Sequence, residues 1–231
     1  MGNWTETEIE KSGASKRRVG LFGGTFNPIH LGHLRGAEEI REAFHLKEVI
    51  FVPSSIPPHK TTEGVIEARH RLQMVRLAIS GNPYFSVSEL EISRPGKSYS
   101  IETIRYFRER NQDAFFFILG SDAFVEIETW KEFQNLFSLC HFIVMTRSGS
   151  QKDAPSLLLP QALIPNFRYA SKEKVWVHIS GYVLYFKEIS FLDISSTKVR
   201  ELIQKGKSVR YLIPPGVEAY TQEHGLYLKK S

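Results

Sequence analysis

Val19-Gly20-Leu21-Phe22 runs without a polar break into Gly23-Gly24, and this junction constrains the fold more than any other stretch. A short apolar run closed by a tight turn marks a buried strand. After Pro28, Leu31, Leu34, Ala37, Ile40 and Phe44 recur at steps of three or four, the spacing of an amphipathic helix. Val49-Ile50-Phe51-Val52 follows and Pro53 halts it. Strand, helix and strand in quick succession predict a right-handed parallel crossover.

The alternation continues along the chain. The spacing predicts a Pro-rich loop over 53–64, a helix over 66–80 and a strand near 84–88. A helix over 100–110 and the strongest strand, Ala114 to Leu119, come next. Helical segments lie between Asp122 and Phe137, and a strand covers 141–145. Residues 148–172, with three prolines, read as irregular. Short strands are expected at 175–179 and 183–189, and helices at 195–204 and 214–223. The fold class is α/β: a doubly wound, mostly parallel, Rossmann-like sheet with a small helical C-terminal part over about 195–231. Residues 1–17 are polar and aperiodic and read as a flexible leader to one domain over 18–231. On such sheets ligands bind beyond the carboxyl ends of the strands. The chemistry is therefore expected after Phe22, Val52, Leu119 and Met145.

Composition removes other classes. Of 231 residues, 42% are hydrophobic and 24% charged, ordinary globular usage. Cys140 is the one cysteine, so neither an internal disulfide framework nor a thiolate-rich zinc site can form. No apolar run reaches the length of a membrane span. Met1-Gly2 is followed by Glu6 where a myristoylation signal needs Ser or Thr. The N-terminus lacks a secretory apolar core, which makes the cytoplasm the default compartment. The net charge of +5 permits a polyanionic ligand without predicting nucleic acid.

The first loop reads Gly23-Gly24-Thr25-Phe26-Asn27-Pro28-Ile29-His30-Leu31-Gly32-His33. Paired glycines let backbone N–H groups approach a ligand, and the helix that follows offers its positive end to an anion. His30 and His33 share a helix face and make a compact donor cluster for phosphate oxygens. Taken singly, the glycines are also a plain turn, and the histidines are also a packed pair or, with no acidic or thiol partner at ligand spacing, a poor zinc site. The loop is neither a Walker loop nor the Gly-x-Gly-x-x-Gly fingerprint.

A second cluster, Ile194-Ser195-Ser196-Thr197-Lys198-Val199-Arg200, opens a late helix. Its hydroxyls suit a helix cap, and also an anion. Arg200, one turn in, adds a fork of donors. Two phosphate-suited helix starts on one sheet point to a triphosphate or to two phosphorylated ligands.

With these residues in view, Gly23 to His33 resembles the Gly-Gly-Thr-Phe-Asp-Pro-x-His-x-Gly-His signature of nucleotidylyltransferases, and Ile194 to Arg200 matches their Ile-Ser-Ser-Thr-x-x-Arg signature. Pro57-Pro58-His59-Lys60, Arg69 to Ala78, Arg94 to Ser100, Gly120-Ser121-Asp122 and Trp130 make the chain similar to bacterial nicotinate-nucleotide adenylyltransferases. The likeness runs from about Arg18 to the C-terminus. Asn27 stands for the usual Asp, Ser121 for a frequent Ala, and Arg147-Ser148-Gly149 for Arg-Pro-Gly.

The resemblance implies transfer of the adenylyl group of ATP to nicotinate mononucleotide, with Mg²⁺ on the ATP phosphates. It places ATP on Gly23, Gly24, Thr25, Phe26, His30, His33, Ser195, Ser196, Thr197 and Arg200. Catalysis falls to His30, His33, Arg200 and Lys60, with His33 the first choice for the α-phosphoryl charge. The acceptor falls to Asn27, His59, Lys60, Ser98, Tyr99, Ser100, Asp122, Trp130 and Arg147. Asp122 is equally a helix cap, Trp130 a core aromatic and Lys60 a solvated lysine. Nicotinamide mononucleotide or phosphopantetheine as acceptor, a silent nucleotide-binding protein of the same fold, and an RNA-binding protein are the competing readings. No membrane partner is expected, and a homo-oligomer is compatible with the sequence.

Overall fold

The structure is a computed structural model that describes residues 16–57, 64–147, 159–190 and 192–228. The expected leader falls almost wholly outside these residues, as does the first part of the 148–172 segment.

The opening unit folds as its pattern dictates. β1 (Arg18–Gly24) and β2 (Glu48–Pro53) pair in parallel, with Val19 opposite Glu48 and Gly24 opposite Pro53. Helix α1 (Leu31–Ala43) connects them and buries Gly36, Ala37 and Ile40 against the sheet. Helix α2 (Ala68–Ile79) leads to the short β3 (Phe85–Val87), parallel to β2. Helix α3 (Ser100–Arg110) then carries the chain back across, and β4 (Ala114–Gly120) pairs with the free side of β1.

Two short helices, α4 (Ser121–Val125) and α5 (Phe133–Leu136), lead into β5 (His141–Arg147). The remaining strands are β6 (Phe167–Ala170), β7 (Val175–His178) and β8 (Val183–Ile189), and helices α6 (Ser196–Gln204) and α7 (Pro215–Glu223) follow. The sheet order is β3-β2-β1-β4-β5-β8-β7-β6. All neighbours are parallel except β8 with β7 and β7 with β6. The direction of winding reverses between β1 and β4, and that crevice is where such sheets bind ligands.

Each strand serves two cores because its side chains alternate. In β4, Phe115, Phe117 and Leu119 meet Ile101, Ile104 and Phe107 of α3 and Phe124 of α4 on one face. Phe116 and Ile118 meet Ala37 and Ile40 of α1, Met74 and Val75 of α2, Val199 of α6 and Val217 of α7 on the other. The 148–172 segment is not irregular throughout: a 3₁₀ turn over Gln161–Asn166 and edge strand β6 occupy its second half. Among the described residues no helix is long and apolar enough to cross a membrane.

Candidate active site

The carboxyl end of β1 delivers the first loop in a constrained form. Phe26 has a φ of +48°, a left-handed conformation that costs a non-glycine residue energy and clusters at functional sites. Its ring folds back on Gly24, where a Cβ would stand 2.8 Å from the ring carbon Cζ. Glycine is therefore required at 24 by contact rather than by dihedral freedom. The Phe26 ring meets that of His33 edge-on at 5.2 Å, and Phe22 approaches from the other side at 6.2 Å.

His30 and His33 stack with centroids 3.6 Å apart and planes inclined by 25°. The His30 backbone N–H donates to His33 Nδ1 at 3.2 Å. His33 Nδ1 is thereby an acceptor, which leaves its proton on Nε2, the outer nitrogen. His30 is buried, its Nδ1 has no hydrogen-bond partner, and Gly32 clears the space beside it. Burial holds the His30 pKa down to about 4, so the ring is neutral at pH 7. The pair thus has one buried, neutral member and one half-buried member.

The C-terminal motif closes on this loop. Ser195 Oγ accepts from Lys198 N–H and caps α6, a cap worth about 1 kcal/mol. Ser196 Oγ donates to the Pro28 carbonyl at 2.9 Å. Arg200 donates through Nη1 to the Asn27 carbonyl at 2.8 Å and through Nη2 to Thr197 Oγ1 at 3.2 Å. Two motifs about 170 residues apart therefore converge on Asn27-Pro28. The N–H groups of Ser196 and Thr197 have no partner within their own helix, so α6 presents its positive end beside that of α1.

The Asn27 side chain is taken up by hydrogen bonds within the protein. It is buried, its Nδ2 donates to the Gly64 carbonyl at 2.9 Å, and its Oδ1 accepts from Tyr227 Oη at 2.9 Å and from Ile66 N–H at 3.4 Å. An amide serves both roles, donor and acceptor, where a carboxylate could only accept. Burial pushes the Tyr227 phenol up and keeps it a neutral donor. Asn27 thus braces three chain segments with its side chain.

Arg71 is the largest fully buried side chain of the molecule's described part. Its Nε donates to Ile66 O at 3.0 Å, Nη1 to Thr25 O at 2.8 Å and Nη2 to Ser55 O at 2.7 Å. It sits under the loops after β1 and β2. Sequence reading passed it over within Arg69 to Ala78, as it did Tyr227 outside any motif. The available signal was position: Arg71 falls on the same stripe as Leu72, Met74, Val75 and Ile79, where a cation has no ordinary reason to be.

On the acceptor side, Ser98 Oγ accepts from Ser55 N–H at 2.8 Å, next to the buried Glu91 carboxyl. Ser98 N–H donates to Ile56 O at 3.0 Å. Both polar groups of Ser98 are engaged within the protein, and the open N–H groups at the start of α3 belong to Tyr99 and Ser100. Lys131 lies over the Tyr99 ring at 4.5 Å. Asp122 is exposed in the first turn of α4, past β4. Trp130 is half-buried, edge-on to Phe117 at 6.2 Å. His59, Lys60 and the Arg147 side chain lie outside the described residues; the Arg147 backbone ends β5 opposite Ile189. A cavity of about 900 Å³ at the opposite end of the sheet, beside Arg108, Phe115 and Tyr182, shares no residue with these motifs. Among the described residues no group of three or more His, Cys, Asp or Glu could hold a metal.

The buried histidines make stability depend on pH. His141 stacks on Phe116 at 4.7 Å, accepts from Val183 N–H at 3.2 Å, and is held down to about 4 mainly by burial. A histidine with a lowered folded-state pKa binds its proton in the unfolded chain first. Its destabilising effect grows as pH falls from about 6.5 to about 4. Between pH 8 and pH 5 wild type should lose about 2 kcal/mol more stability than His141→Phe. Denaturant unfolding of both proteins at the two pH values measures this difference. Equal losses would show that His141 ionises alike in both states.

The reversal of the sheet at β1 and β4, with two helix N-termini and a His-x-Gly-His pair at its carboxyl end, defines the cytidylyltransferase-like class, and residues 21–202 match that family. A probable nicotinate-nucleotide adenylyltransferase of Geobacter metallireducens is 48% identical over 211 residues, covering 91% of this chain and 98% of the relative. One from Syntrophotalea carbinolica is 46% identical, covering 91% and 97%. The chain belongs to the nicotinate-nucleotide adenylyltransferase family. Among solved structures, Plasmodium falciparum nicotinic acid mononucleotide adenylyltransferase complexed with NaAD superposes with a TM-score of 0.69. The match covers 91% of this chain and 97% of that one at 20% identity, a likeness of fold.

Proposed function

We propose that this chain transfers the adenylyl group of Mg-ATP to nicotinate mononucleotide, giving deamido-NAD and pyrophosphate in NAD biosynthesis. The observation that carries this reading is the closure of Ser196 and Arg200 onto Asn27-Pro28, beside the His30–His33 stack. It gathers donors for a triphosphate at the switch point of the sheet.

The acceptor's phosphate is mostly a dianion at pH 7, since its second pKa is about 6. It is a competent nucleophile and needs no general base. One of its oxygens attacks the ATP α-phosphorus in line; the new P–O bond forms as the bond to the β-phosphate oxygen breaks, and pyrophosphate leaves. What the protein supplies is position and charge stabilisation. His33 Nε2–H serves the α-phosphoryl oxygens, while Arg200 and the start of α6 serve the β- and γ-phosphates. Mg²⁺ enters with ATP, held by phosphate oxygens and water. Lys60 and His59 are assigned to the reacting phosphates, Asp122 to ribose hydroxyls, Trp130 to the pyridine ring, and Tyr99 and Ser100 to the nicotinate carboxylate. Arg147 is assigned to the acceptor side. We place the enzyme in the cytoplasm, where both substrates are soluble metabolites.

The test is pyrophosphate release from Mg-ATP with nicotinate mononucleotide, nicotinamide mononucleotide or phosphopantetheine. At least a tenfold higher kcat/KM for nicotinate mononucleotide is expected. Preference for another acceptor would overturn the substrate, and no release with any acceptor would overturn the activity.

A further inference from the structure

Arg71 and Glu91 are both buried, yet neither makes a close ion pair among the described residues. Charged groups are taken out of water only when something compensates. Part of that compensation is a run of hydrogen bonds. Arg71 Nη1 donates to Thr25 O in the ATP loop, and Nη2 donates to Ser55 O after β2. The same Ser55 gives its N–H to Ser98 Oγ. Beyond Ser98, the buried Glu91 carboxyl accepts at Oε1 from Thr103 Oγ1 at 2.6 Å, inside the first turns of α3, and the Ser98 side chain acts against the burial that raises the Glu91 pKa. A parallel bridge between Ile56 and Lys97 and the Ser98 N–H to Ile56 O bond run alongside.

One end of this run is therefore the loop assigned to ATP, and the other is the helix start assigned to the acceptor. The run ties its two ends together through the two peptide groups that flank Ser55. Such a chain is stiff because every member is held from both sides. In-line transfer needs stiffness at this place. The two substrates share no covalent link until they react, and small errors in their separation are costly.

We propose that Arg71 and Glu91 are positioning residues that act through Ser55 and Ser98 to hold the ATP loop and the acceptor-binding start of α3 at reacting distance. The proposal rests on the adenylyltransfer reading above. It deepens that reading by predicting that loss of the run impairs the ternary complex and leaves each binary complex largely intact.

The test combines Arg71→Lys, Glu91→Gln, Ser98→Ala and the Glu91→Gln/Ser98→Ala double variant, each checked by thermal unfolding. Arg71→Lys keeps the cation and cannot reach three carbonyls. Glu91→Gln keeps the shape, removes the acidic group and turns one of its two acceptor oxygens into an NH₂ donor. Ser98→Ala is the mildest change and keeps the proposal falsifiable should an Arg71 variant not fold. Expected are falls in kcat of roughly 100-fold for Arg71→Lys and roughly 10-fold for Glu91→Gln and Ser98→Ala. Titrated Kd values for Mg-ATP alone and for nicotinate mononucleotide alone should stay within about threefold. The double variant should be no worse than either single one, since both cut one run. Folded Ser98→Ala and Glu91→Gln proteins with wild-type kcat would overturn the proposal, as would effects that multiply in the double variant. Wild type without adenylyltransfer in the same assay would instead overturn the functional reading on which the proposal stands.

Discussion

Replacing His33 with alanine should lower kcat for deamido-NAD formation by roughly 100- to 1,000-fold while changing the Kd for Mg-ATP far less. The expectation follows from how the ring is held. Its Nδ1 is occupied by the His30 N–H, its faces and edges are met by His30, Phe22 and Phe26, and its proton is thereby fixed on Nε2. A donor locked before the reaction costs no reorganisation when charge develops on the α-phosphoryl oxygens, and that is where such a group gains its effect. His30 is different in kind. It is buried and neutral, with its pKa held near 4, and it holds His33 through the stack and through its backbone N–H. Single-turnover rates with both substrates saturating separate the two possibilities. A drop in the chemical step supports the assignment. A raised KM at unchanged kcat would make His33 a ground-state ligand of ATP instead.

The contrast between the two histidines also shows what a sequence discloses. Their spacing fixes them on one helix face, and the glycines before them mark the loop, because both are local properties of the chain. The parallel sheet is legible for a similar reason: each strand–helix–strand unit announces itself through a change of period from two or continuous to 3.6. Strand β6 is harder. Phe167-Arg168-Tyr169-Ala170 follows three prolines, pairs on one side only, and exposes two of its four residues, so no apolar run or clean alternation betrays it. The roles of Asn27, Ser98 and Arg71 are harder still. Each is settled by partners 16 to more than 40 positions away: Gly64 for Asn27, Ser55 for Ser98 and Arg71, and Thr25 for Arg71. A residue type near a ligand loop reads as a ligand group until the backbone that takes up its hydrogen bonds is seen. Ser98 shows this plainly, since its hydroxyl and its N–H both serve loop 54–56.

Arg200→Lys should reduce kcat/KM for Mg-ATP by roughly 100-fold, nearly as much as Arg200→Ala, although the charge is kept. The guanidinium uses one arm on the Asn27 carbonyl and another on Thr197 Oγ1, and the plane these contacts fix aims its remaining N–H groups. A lysine ammonium is one point with three donors. To reach a phosphate it must release Asn27, and to keep Asn27 it must withdraw from the phosphate. The loss should appear on the pyrophosphate side of the reaction, because Arg200 is assigned to the β- and γ-phosphates that leave. Pyrophosphate should therefore inhibit Arg200→Lys at least tenfold more weakly than wild type, while the Kd for nicotinate mononucleotide holds. If pyrophosphate inhibition were unchanged and the acceptor weakened, Arg200 would belong to the other substrate. Ser196→Ala is the internal control: it removes the Ser196 Oγ to Pro28 O bond and leaves the Arg200 fork, so it should cost far less than Arg200→Lys. On that assignment, the Asn27-Pro28 seam is what would aim the Arg200 charge at the leaving pyrophosphate.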